Sequence, residues 1–256
     1  MLIILVSCAE QANEPVKLPV LTYHSVMPWE YYSPINENNP WILSEEVFYT
    51  HMQYLYENGF NAITIEEFLN FFFYDYDLPE NPILLTFDDG YLDNALYVYP
   101  ILKEFNFTAI NFLLTDGLAR TPQTMTAYPI RYMSRHNIYA TNDVFEFASH
   151  THDMHFYIAD SPILVTASIS DIQTDLRRSF EFPLCSFEVF AYPFGIYSDN
   201  AIDALILEGV RVAFTTEWGY ITRESDPFRL PRFSIESDWW DMELFSTIVR
   251  GDYINE

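Results

Sequence analysis

The sequence predicts an α/β fold in which parallel strands alternate with helical crossovers, as a barrel or an open sheet. Three observations support this prediction. Strand-like and helix-like segments alternate along the chain. The most apolar strand candidate, Pro82–Phe87, contains no charged residue, which is typical of a strand buried on both faces. No repeat, low-complexity tract or obvious inner linker divides the 256 residues, so we expect one domain.

Local signals place each element in chain order. Ser44 can cap a helix that stops before Gly59, and Thr64 begins a capping box for the next helix. The predicted strands are Pro19–His24, Asn61–Ile63, Pro82–Phe87, Thr108–Leu114, Val144–Ser149, Glu188–Tyr192, Val210–Thr216 and Arg229–Ile235. The predicted helices are Glu45–Asn58, Thr64–Phe73, Asp93–Phe105, Tyr128–Arg135, Ser170–Phe180, Asn200–Leu207 and Asp241–Val249.

Two adjacent carboxylates, Asp88 and Asp89, end the central strand and precede Gly90. Burying such a pair is costly unless a cation or water compensates the charge. The carboxyl end of a parallel strand is also the usual place for chemistry in α/β folds. Asp-Asp-Gly is equally good turn material, so these residues alone leave a solvated turn and a functional site as even alternatives.

Three of the six histidines, His150, His152 and His155, lie in one short segment after the predicted strand Val144–Ser149. Residues five apart diverge on a helix and face opposite sides of a strand, so His150 and His155 can converge only from a loop. A polar surface loop with chance histidines is the alternative. Three histidines in six residues, after an acidic pair, favour a metal site.

The composition restricts the classes of ligand. Half of the residues are apolar, which is enough for a sizeable core. The net charge of −25 argues against binding of nucleic acid or anionic membranes by charge, and suits neutral or cationic ligands. Adaptation to high salt would give a similar composition. The two cysteines, Cys8 and Cys185, do not form a disulfide framework.

The first residues suggest an exported protein. Leu5–Cys8 resembles a bacterial lipobox, in which the cysteine is lipidated after signal-peptide cleavage, although no Lys or Arg precedes the apolar run. An ordinary N-terminal tail is the alternative. We expect residues 1–18 to be a signal or lipobox segment and tail. No later stretch is long and apolar enough to span a membrane, so membrane attachment is expected only through a lipid on Cys8.

Several segments together resemble a known family. Thr86–Gly90 followed by Ser149–His155 resembles the polysaccharide deacetylases of carbohydrate esterase family four, and most closely the branch that includes bacterial poly-N-acetylglucosamine deacetylases. Leu21–Val26, Tyr54–Phe60 and Phe190–Gly195 match further segments of that branch in the same order. We therefore expect residues 19–256 to form one catalytic domain, a single deformed (β/α) barrel of about seven parallel strands.

The resemblance implies a role for each motif residue. Asp89, His150 and His155 would bind one divalent metal ion, for which zinc is the first expectation and cobalt or nickel are alternatives. Asp88 would be the general base that takes a proton from the attacking water. His152 is a competing ligand, ranked lower because it occupies a variable position of the motif.

The segment Phe190–Gly195, the third motif of the family, contains the remaining expected substrate contacts. Tyr192, Pro193 and Phe194 would bind substrate, with a backbone N–H of this segment completing an oxyanion site. Many family members have an arginine in this motif that orients the base, whereas this chain has Ala191. The role is either absent here or filled by another residue such as Arg232.

A second departure concerns the general acid. Many members use a late histidine, but no histidine follows His155 in this chain. His24 is the best remaining candidate because imidazole titrates near neutrality, and a hydrogen-bonded core histidine is an equal alternative. Asp238 and Trp239 faintly resemble the fourth motif.

The expected function is hydrolysis of N-acetyl groups on a polysaccharide that contains N-acetylglucosamine, by an extracellular or cell-surface enzyme. Two alternatives belong to other classes. One is a catalytically weak glycan-binding surface protein that keeps the metal pocket, and the other is a metal hydrolase acting on another amide or ester.

Overall fold

The computed structural model describes residues 16–31, 39–126, 130–236 and 241–254. The lipobox with Cys8, and the weak fourth-motif match at Asp238 and Trp239, lie outside the described residues. Within the described ranges, every helix is too short or too polar to cross a membrane.

The strands and helices alternate as predicted. The strands are β1 (Val20–Tyr23), β2 (Ser25–Met27), β3 (Ile42–Ser44), β4 (Asn61–Ala62), β5 (Pro82–Phe87), β6 (Ala109–Leu113), β7 (Phe145–Ser149), β8 (Tyr157–Ile158), β9 (Ser161–Pro162), β10 (Cys185–Ala191), β11 (Val212–Phe214) and β12 (Phe233–Ser234). The helices are α1 (Glu45–Glu57), α2 (Ile65–Tyr74), α3 (Tyr99–Glu104), α4 (Arg135–Thr141), α5 (Ile163–Thr166), α6 (Ile169–Phe180), α7 (Asp199–Leu207) and α8 (Met242–Val249).

Seven parallel strands form the main sheet in the order β11-β10-β7-β6-β5-β1-β12, and β4 adds to β5. The stretch 230–234 joins the two ends of this sheet. Leu230 pairs with Phe214 of β11, and the following β12 pairs with β1. The sheet therefore curls into a deformed barrel, which confirms the predicted fold class.

Alternate residues of each strand pack into two different parts of the core. Leu84 and Phe112 belong to one cluster, which also contains Phe68 of α2. Leu85 and Leu113 belong to a second cluster with residues of α1, α3, α4 and α8. A strand that is buried on both faces needs apolar residues at every position, which explains the uncharged run of β5.

The local helix signals of the sequence act as expected in the amino-terminal half. The Ser44 side chain accepts a hydrogen bond from the Val47 N–H at the start of α1. Thr64 forms both bonds of a capping box with Glu67 at the start of α2. Gly59 adopts a φ of 70° after the end of α1, a conformation that glycine allows without strain.

The predicted helix Tyr128–Arg135 is wrong over residues 130–134, which are not helical, and residues 128 and 129 lie outside the described residues. Helix α4 begins at Arg135 because Ser134 is its N-cap, with Asn137 completing a capping box. Tyr132, just upstream, instead pairs with Tyr91 in an antiparallel bridge. The competing pairing partner is distant in sequence, so a local helix signal could not reveal it.

Smaller differences lie in the regions flanking the sheet. The last strand is shorter than predicted, and the short pairs β2–β3 and β8–β9 were not predicted. The predicted helix Asp93–Phe105 is divided into a π-helical turn, Asn94–Val98, and the short helix α3.

Candidate active site

The predicted site residues lie beyond the carboxyl ends of neighbouring barrel strands. Asp88 and Asp89 follow β5, His150 follows β7, and the third motif follows β10. His24 follows β1 directly. Because β1, β5, β6, β7 and β10 are parallel and adjacent, their carboxyl ends bring these distant segments to one end of the barrel.

The turn after β5 separates the two adjacent carboxylates. Asp89 and Gly90 both have left-handed backbone conformations, with φ of 71° and 72°. A Cβ atom at Gly90 would lie 2.8 Å from Cδ2 of Leu113, so a larger residue would have to displace this buried side chain in addition to adopting an unfavourable backbone conformation. Asp88 thereby contacts Arg232, whereas Asp89 faces the histidines.

The side chains of Asp89, His150 and His155 converge into a candidate metal site. Their possible ligand atoms all lie within 4.8 Å of one another. Oδ1 of Asp89 is 3.7 Å from Nε2 of His150 and 3.4 Å from Nε2 of His155. Ligands placed tetrahedrally about 2 Å from a zinc ion are about 3.3 Å apart, so this spacing is close to that of a metal-bound set.

The hydrogen bonding of these side chains also fits a cation. Oδ1 of Asp89 is buried and has no hydrogen-bond partner among the described residues. A buried carboxylate oxygen without a donor is costly unless a positive charge compensates it. One carboxylate and two imidazoles, with positions left for water and substrate, suit zinc and neighbouring first-row ions.

His150 is oriented by the strand that carries the third motif. Its Nδ1–H donates to the main-chain carbonyl of Ala191 at 2.8 Å, which leaves Nε2 facing Asp89. Such a bond is the usual way in which a protein fixes the tautomer of a metal-binding histidine. Burial lowers the pKa of His150 to about 4, so the imidazole is neutral, as a ligand must be.

His155 is the most exposed member of the candidate metal site. Its ring centroid lies 4.2 Å from that of Phe194, which in turn lies 4.6 Å from that of Tyr157. Phe194 has a φ of 61°. The third motif thus places an aromatic side chain against one of the candidate ligands.

His152 lies outside the cluster. Its Nδ1 is 2.9 Å from the hydroxyl of Thr115, and its Nε2 is 3.7 Å from Asp116. The main-chain N–H of His152 donates to Asp175. A cavity of about 250 Å³ lies between His152 and His155 and is open to a ligand beside the candidate metal site.

Asp88 is paired with a fully buried arginine. Both terminal nitrogens of Arg232 donate to the Asp88 carboxylate at 2.8 Å, and Nε of Arg232 donates to the carbonyl of Thr215. Burial raises the pKa of Asp88, but the positive charge of Arg232 and its hydrogen bonds to the carboxylate outweigh burial and lower that pKa. Asp88 is therefore an ionised carboxylate.

His24 lies beside Asp88 and not in the apolar core. Its Nε2 is 4.0 Å from Oδ2 of Asp88, and its ring centroid is 4.6 Å from that of Trp41. Nδ1 of His24 is buried and has no partner among the described residues. Burial lowers the pKa of His24, while the charges of Asp88 and Asp89 act in the opposite direction.

Of the three residues in the predicted oxyanion segment, one has a main-chain N–H that remains a candidate donor. The N–H of Tyr192 is used, because it donates to the carbonyl of Phe214, and Pro193 has none. The side chain of Tyr192 also points away from the site, where its hydroxyl donates to the carbonyl of Phe228. Of the three predicted residues, Phe194 is left as the candidate donor.

Sequence reasoning missed one side chain at the site, Trp41. It precedes β3, and its carbonyl accepts the N–H of Ser25 next to His24. A single tryptophan in a loop carries no sequence signal for such a contact. A larger cavity, of about 690 Å³, lies near the amino ends of β7 and β10 and contains none of the predicted site residues.

Comparison with known proteins decides the family. The polysaccharide deacetylase family matches residues 75–213, which is more than half of the 256 residues. The chain belongs to the polysaccharide deacetylase family. This membership confirms the resemblance inferred from the motifs and the expected enzyme class, a hydrolase.

The matches to individual relatives span most of this polysaccharide deacetylase. YxkH of Bacillus subtilis is 26% identical over 225 residues, which span 88% of this chain and 74% of YxkH. The poly-β-1,6-N-acetyl-D-glucosamine N-deacetylase of Staphylococcus epidermidis is 24% identical over 218 residues, spanning 81% of this chain and 71% of that enzyme. The solved deacetylase PplD of Streptococcus pyogenes, in complex with acetate, shares the fold with a TM-score of 0.76 and 22% identity, covering 94% of this chain and all of PplD.

Proposed function

We propose that this protein hydrolyses N-acetyl groups on a poly-N-acetylglucosamine-type polysaccharide with the help of one divalent metal ion. The observation that carries the proposal is the convergence of Asp89, His150 and His155 beside the ionised carboxylate of Asp88. These three side chains would hold the metal ion, which when bound would acidify a water molecule and polarise the acetyl carbonyl. Zinc fits the donor set best, with cobalt and nickel as alternatives.

Asp88 is proposed as the general base. It accepts a proton from the water that attacks the acetyl carbon, and the two bonds from Arg232 hold its oxygens in place. Arg232 comes from the strand segment that closes the barrel, and it takes the place of the arginine that many relatives have at the position of Ala191. The N–H of Phe194 is proposed to stabilise the negative oxygen that forms from the carbonyl.

His24 is proposed as the general acid. Breaking the C–N bond needs a proton on the departing amine nitrogen, and Nε2 of His24 lies 4.0 Å from Oδ2 of Asp88. Burial lowers the pKa of His24, and the charges of Asp88 and Asp89 offset only part of this effect. The position of His24 beside Asp88, and not its pKa, therefore supports donation of a proton from His24 to the leaving glucosamine.

The choice of polymer rests on the relatives and on charge. Staphylococcal relatives are named poly-β-1,6-N-acetyl-D-glucosamine N-deacetylases. Deacetylation also converts a neutral amide into an ammonium group, which a chain of net charge −25 attracts. We expect the affinity for deacetylated oligomers to fall as ionic strength rises, as measured by calorimetry. An affinity independent of salt would contradict this electrostatic contribution.

The decisive experiment measures acetate release from β-1,6- and β-1,4-linked N-acetylglucosamine oligomers. The protein is stripped of metal, assayed, and assayed again after addition of zinc, cobalt or nickel. We expect release only after metal is restored. Absence of release from every oligomer, with one equivalent of metal bound, would contradict the proposal and favour a glycan-binding protein or a hydrolase of another amide or ester.

We also propose that the protein acts at the cell surface through a lipid on Cys8. The lipobox-like residues Leu5–Cys8 and the polymeric substrate support this location. Expression in a bacterial host with labelled fatty acid should label the wild-type chain and not a Cys8→Ala variant. Equal labelling of the two chains would contradict a lipid at this position.

A further inference from the structure

A buried polar network lies directly behind His24. Asp93, Asn94 and Asn111 are all fully buried, and hydrogen bonds of Asp93 and Asn94 reach the chain at His24 and at the two residues that follow it. Within the described residues, their side-chain hydrogen bonds go to His24, Ser25, Val26 and one another, and not to Asp88 or the candidate metal ligands. Fully buried polar side chains need a reason, because each must replace its lost hydration.

Asn94 is the centre of this network. Its side-chain amide nitrogen donates to the main-chain carbonyl of His24 at 2.8 Å and to Oδ1 of Asp93 at 2.8 Å. Its side-chain oxygen accepts from Asn111 at 2.8 Å. The amide therefore has one allowed orientation, because reversing it would place its oxygen against two acceptors.

Asp93 holds the residues that follow His24. Its Oδ2 is 2.7 Å from the hydroxyl of Ser25, and its Oδ1 accepts the N–H of Val26 at 3.1 Å. Burial raises the pKa of Asp93 to about 7, against the effect of these donors. The contacts suit both protonation states, since the Ser25 hydroxyl can rotate to donate or accept.

The same segment of the chain carries the catalytic carboxylates and this network. Asp88 lies five residues before Asp93, and the N–H of Asp88 donates to the carbonyl of Tyr23. Asn94 begins the π-helical turn Asn94–Val98, an uncommon turn that is found frequently at functional sites. The segment from Asp88 to Asn94 is therefore hydrogen-bonded to Tyr23, just before His24, and also to His24 and the two residues that follow it.

We propose that Asn94 and Asp93 are positioning residues for His24. By fixing the main chain from His24 to Val26, they hold the imidazole at the distance from Asp88 that the structure shows, 4.0 Å. This inference rests on the proposed function, because it assigns a purpose to the placement of the proposed general acid. Misplacement of a reacting group by about 1 Å can cost about 100-fold in rate.

The test is a double-mutant cycle on acetate release. His24→Ala, Asn94→Ala and the double variant are compared with the wild-type protein, all loaded with the same metal. We expect Asn94→Ala to lower kcat about 10- to 100-fold, with KM and metal affinity changed less than twofold. In the His24→Ala background, Asn94→Ala should have little further effect, because it acts through the imidazole.

A control variant separates positioning from general loss of stability. Tyr220→Phe removes the hydrogen bond that this hydroxyl donates to the carbonyl of Ile248 and the one that it accepts from the N–H of Tyr253, and none of these residues belongs to the proposed site. It should keep the wild-type kcat at a temperature well below the midpoint of unfolding. Asn94→Asp provides a second test if Asn94→Ala does not fold. It keeps the shape of the side chain but removes the N–H groups that donate to His24 and Asp93, so it should also lower kcat.

Three results would overturn the inference, and they are distinguishable. If the effects of His24→Ala and Asn94→Ala multiply, Asn94 does not act through His24. If His24→Ala keeps the wild-type kcat, the general acid is another group and there is nothing for the network to position. If the wild-type protein releases no acetate while it holds metal, the proposed function itself fails.

Discussion

At the scale of single residues, two adjacent acids have different surroundings and therefore different chemistry. Asp88 is bonded to Arg232 and is ionised, whereas Oδ1 of Asp89 has no partner among the described residues. The left-handed backbone at Asp89 makes this division possible, because the two side chains then point in different directions.

Asp88→Asn should separate turnover from metal binding. The amide cannot accept the proton of the attacking water, and general-base catalysis commonly contributes about 100-fold or more. We expect kcat for acetate release to fall by at least about 100-fold, while the bound metal stays at one equivalent. Asp203→Asn, a change on the exposed face of α7, is the matched control and should leave both quantities unchanged. Wild-type turnover in Asp88→Asn would exclude Asp88 as the base.

Arg232→Met should destabilise the fold, because it leaves a buried carboxylate without its partner. Breaking such a pair typically costs about 3–5 kcal/mol. The free energy of unfolding, measured with urea at pH 7, should fall by about this amount. Adding Asp88→Asn to the same chain should restore part of the loss, since it removes the unpaired charge. Equal stability of the single and double variants would show that the ion pair does not determine the loss.

The residues of the site differ in how far sequence alone could locate them. Asp89, His150 and His155 lie in two short motifs, and the resemblance selected them together with Asp88. Sequence could nominate Arg232 only as one option, because it lies 144 residues from Asp88 and meets it only in the folded barrel. Nothing in the sequence marked the network of Asn94, whose partners come from three separate segments.

At the scale of elements, the tight turn after β5 is the part of the site with the least freedom. Gly90 and Gly209 provide a matched comparison, because both have a positive φ. A Cβ atom at Gly90 meets Leu113 at 2.8 Å, whereas at Gly209 nothing lies within 4 Å.

Gly209→Ala should lose about 1 kcal/mol from the strained backbone alone. Gly90→Ala adds a steric clash, so its loss should be about 1–3 kcal/mol greater. Gly90→Ala should also weaken metal binding, because the turn sets the direction of Asp89. Urea unfolding and titration with cobalt would measure both effects. Equal losses in stability from the two variants would mean that the side chain of Leu113 in the neighbouring strand β6 moves aside at little cost.

The sequence could distinguish helices from strands where it carries a local signal, such as a helix cap, or a continuous one, such as an uncharged apolar run. The buried strands have uncharged runs, and α1 and α2 carry their own caps. The predicted helix Tyr128–Arg135 failed because the bridge between Tyr132 and Tyr91 competes with it. The hairpin β8–β9 was not predicted, since each strand has two residues and shows no periodicity.

At the scale of the whole molecule, stability should depend on pH through His51, a histidine that is not among the proposed site residues. His51 is fully buried in α1, where its ring stacks on Phe245 at 4.1 Å and its Nδ1 lies 3.2 Å from the hydroxyl of Tyr23. Burial lowers the pKa of His51 to about 3 from its ordinary value of 6.5. Between these values the unfolded chain binds one more proton than the folded chain.

The contribution of His51 is therefore complete above pH 6.5 and is lost as pH falls toward 3. One extra proton corresponds to a slope of about 1.4 kcal/mol per pH unit. His51→Gln should remove this slope between pH 4 and 6, a window of about two units, although it costs stability at neutral pH. Parallel stability curves for the two proteins would contradict the prediction.

The closing of the barrel has a consequence for how the protein matures during synthesis. Asp88, Asp89, His150 and His155 all leave the ribosome before Arg232, which arrives with the stretch 230–234 that joins the two sheet ends. Until that stretch is in place, Asp88 lacks its guanidinium partner. If Asp88 is the general base, as proposed, the arrangement that holds its carboxylate is complete only once the last barrel strand has been synthesised.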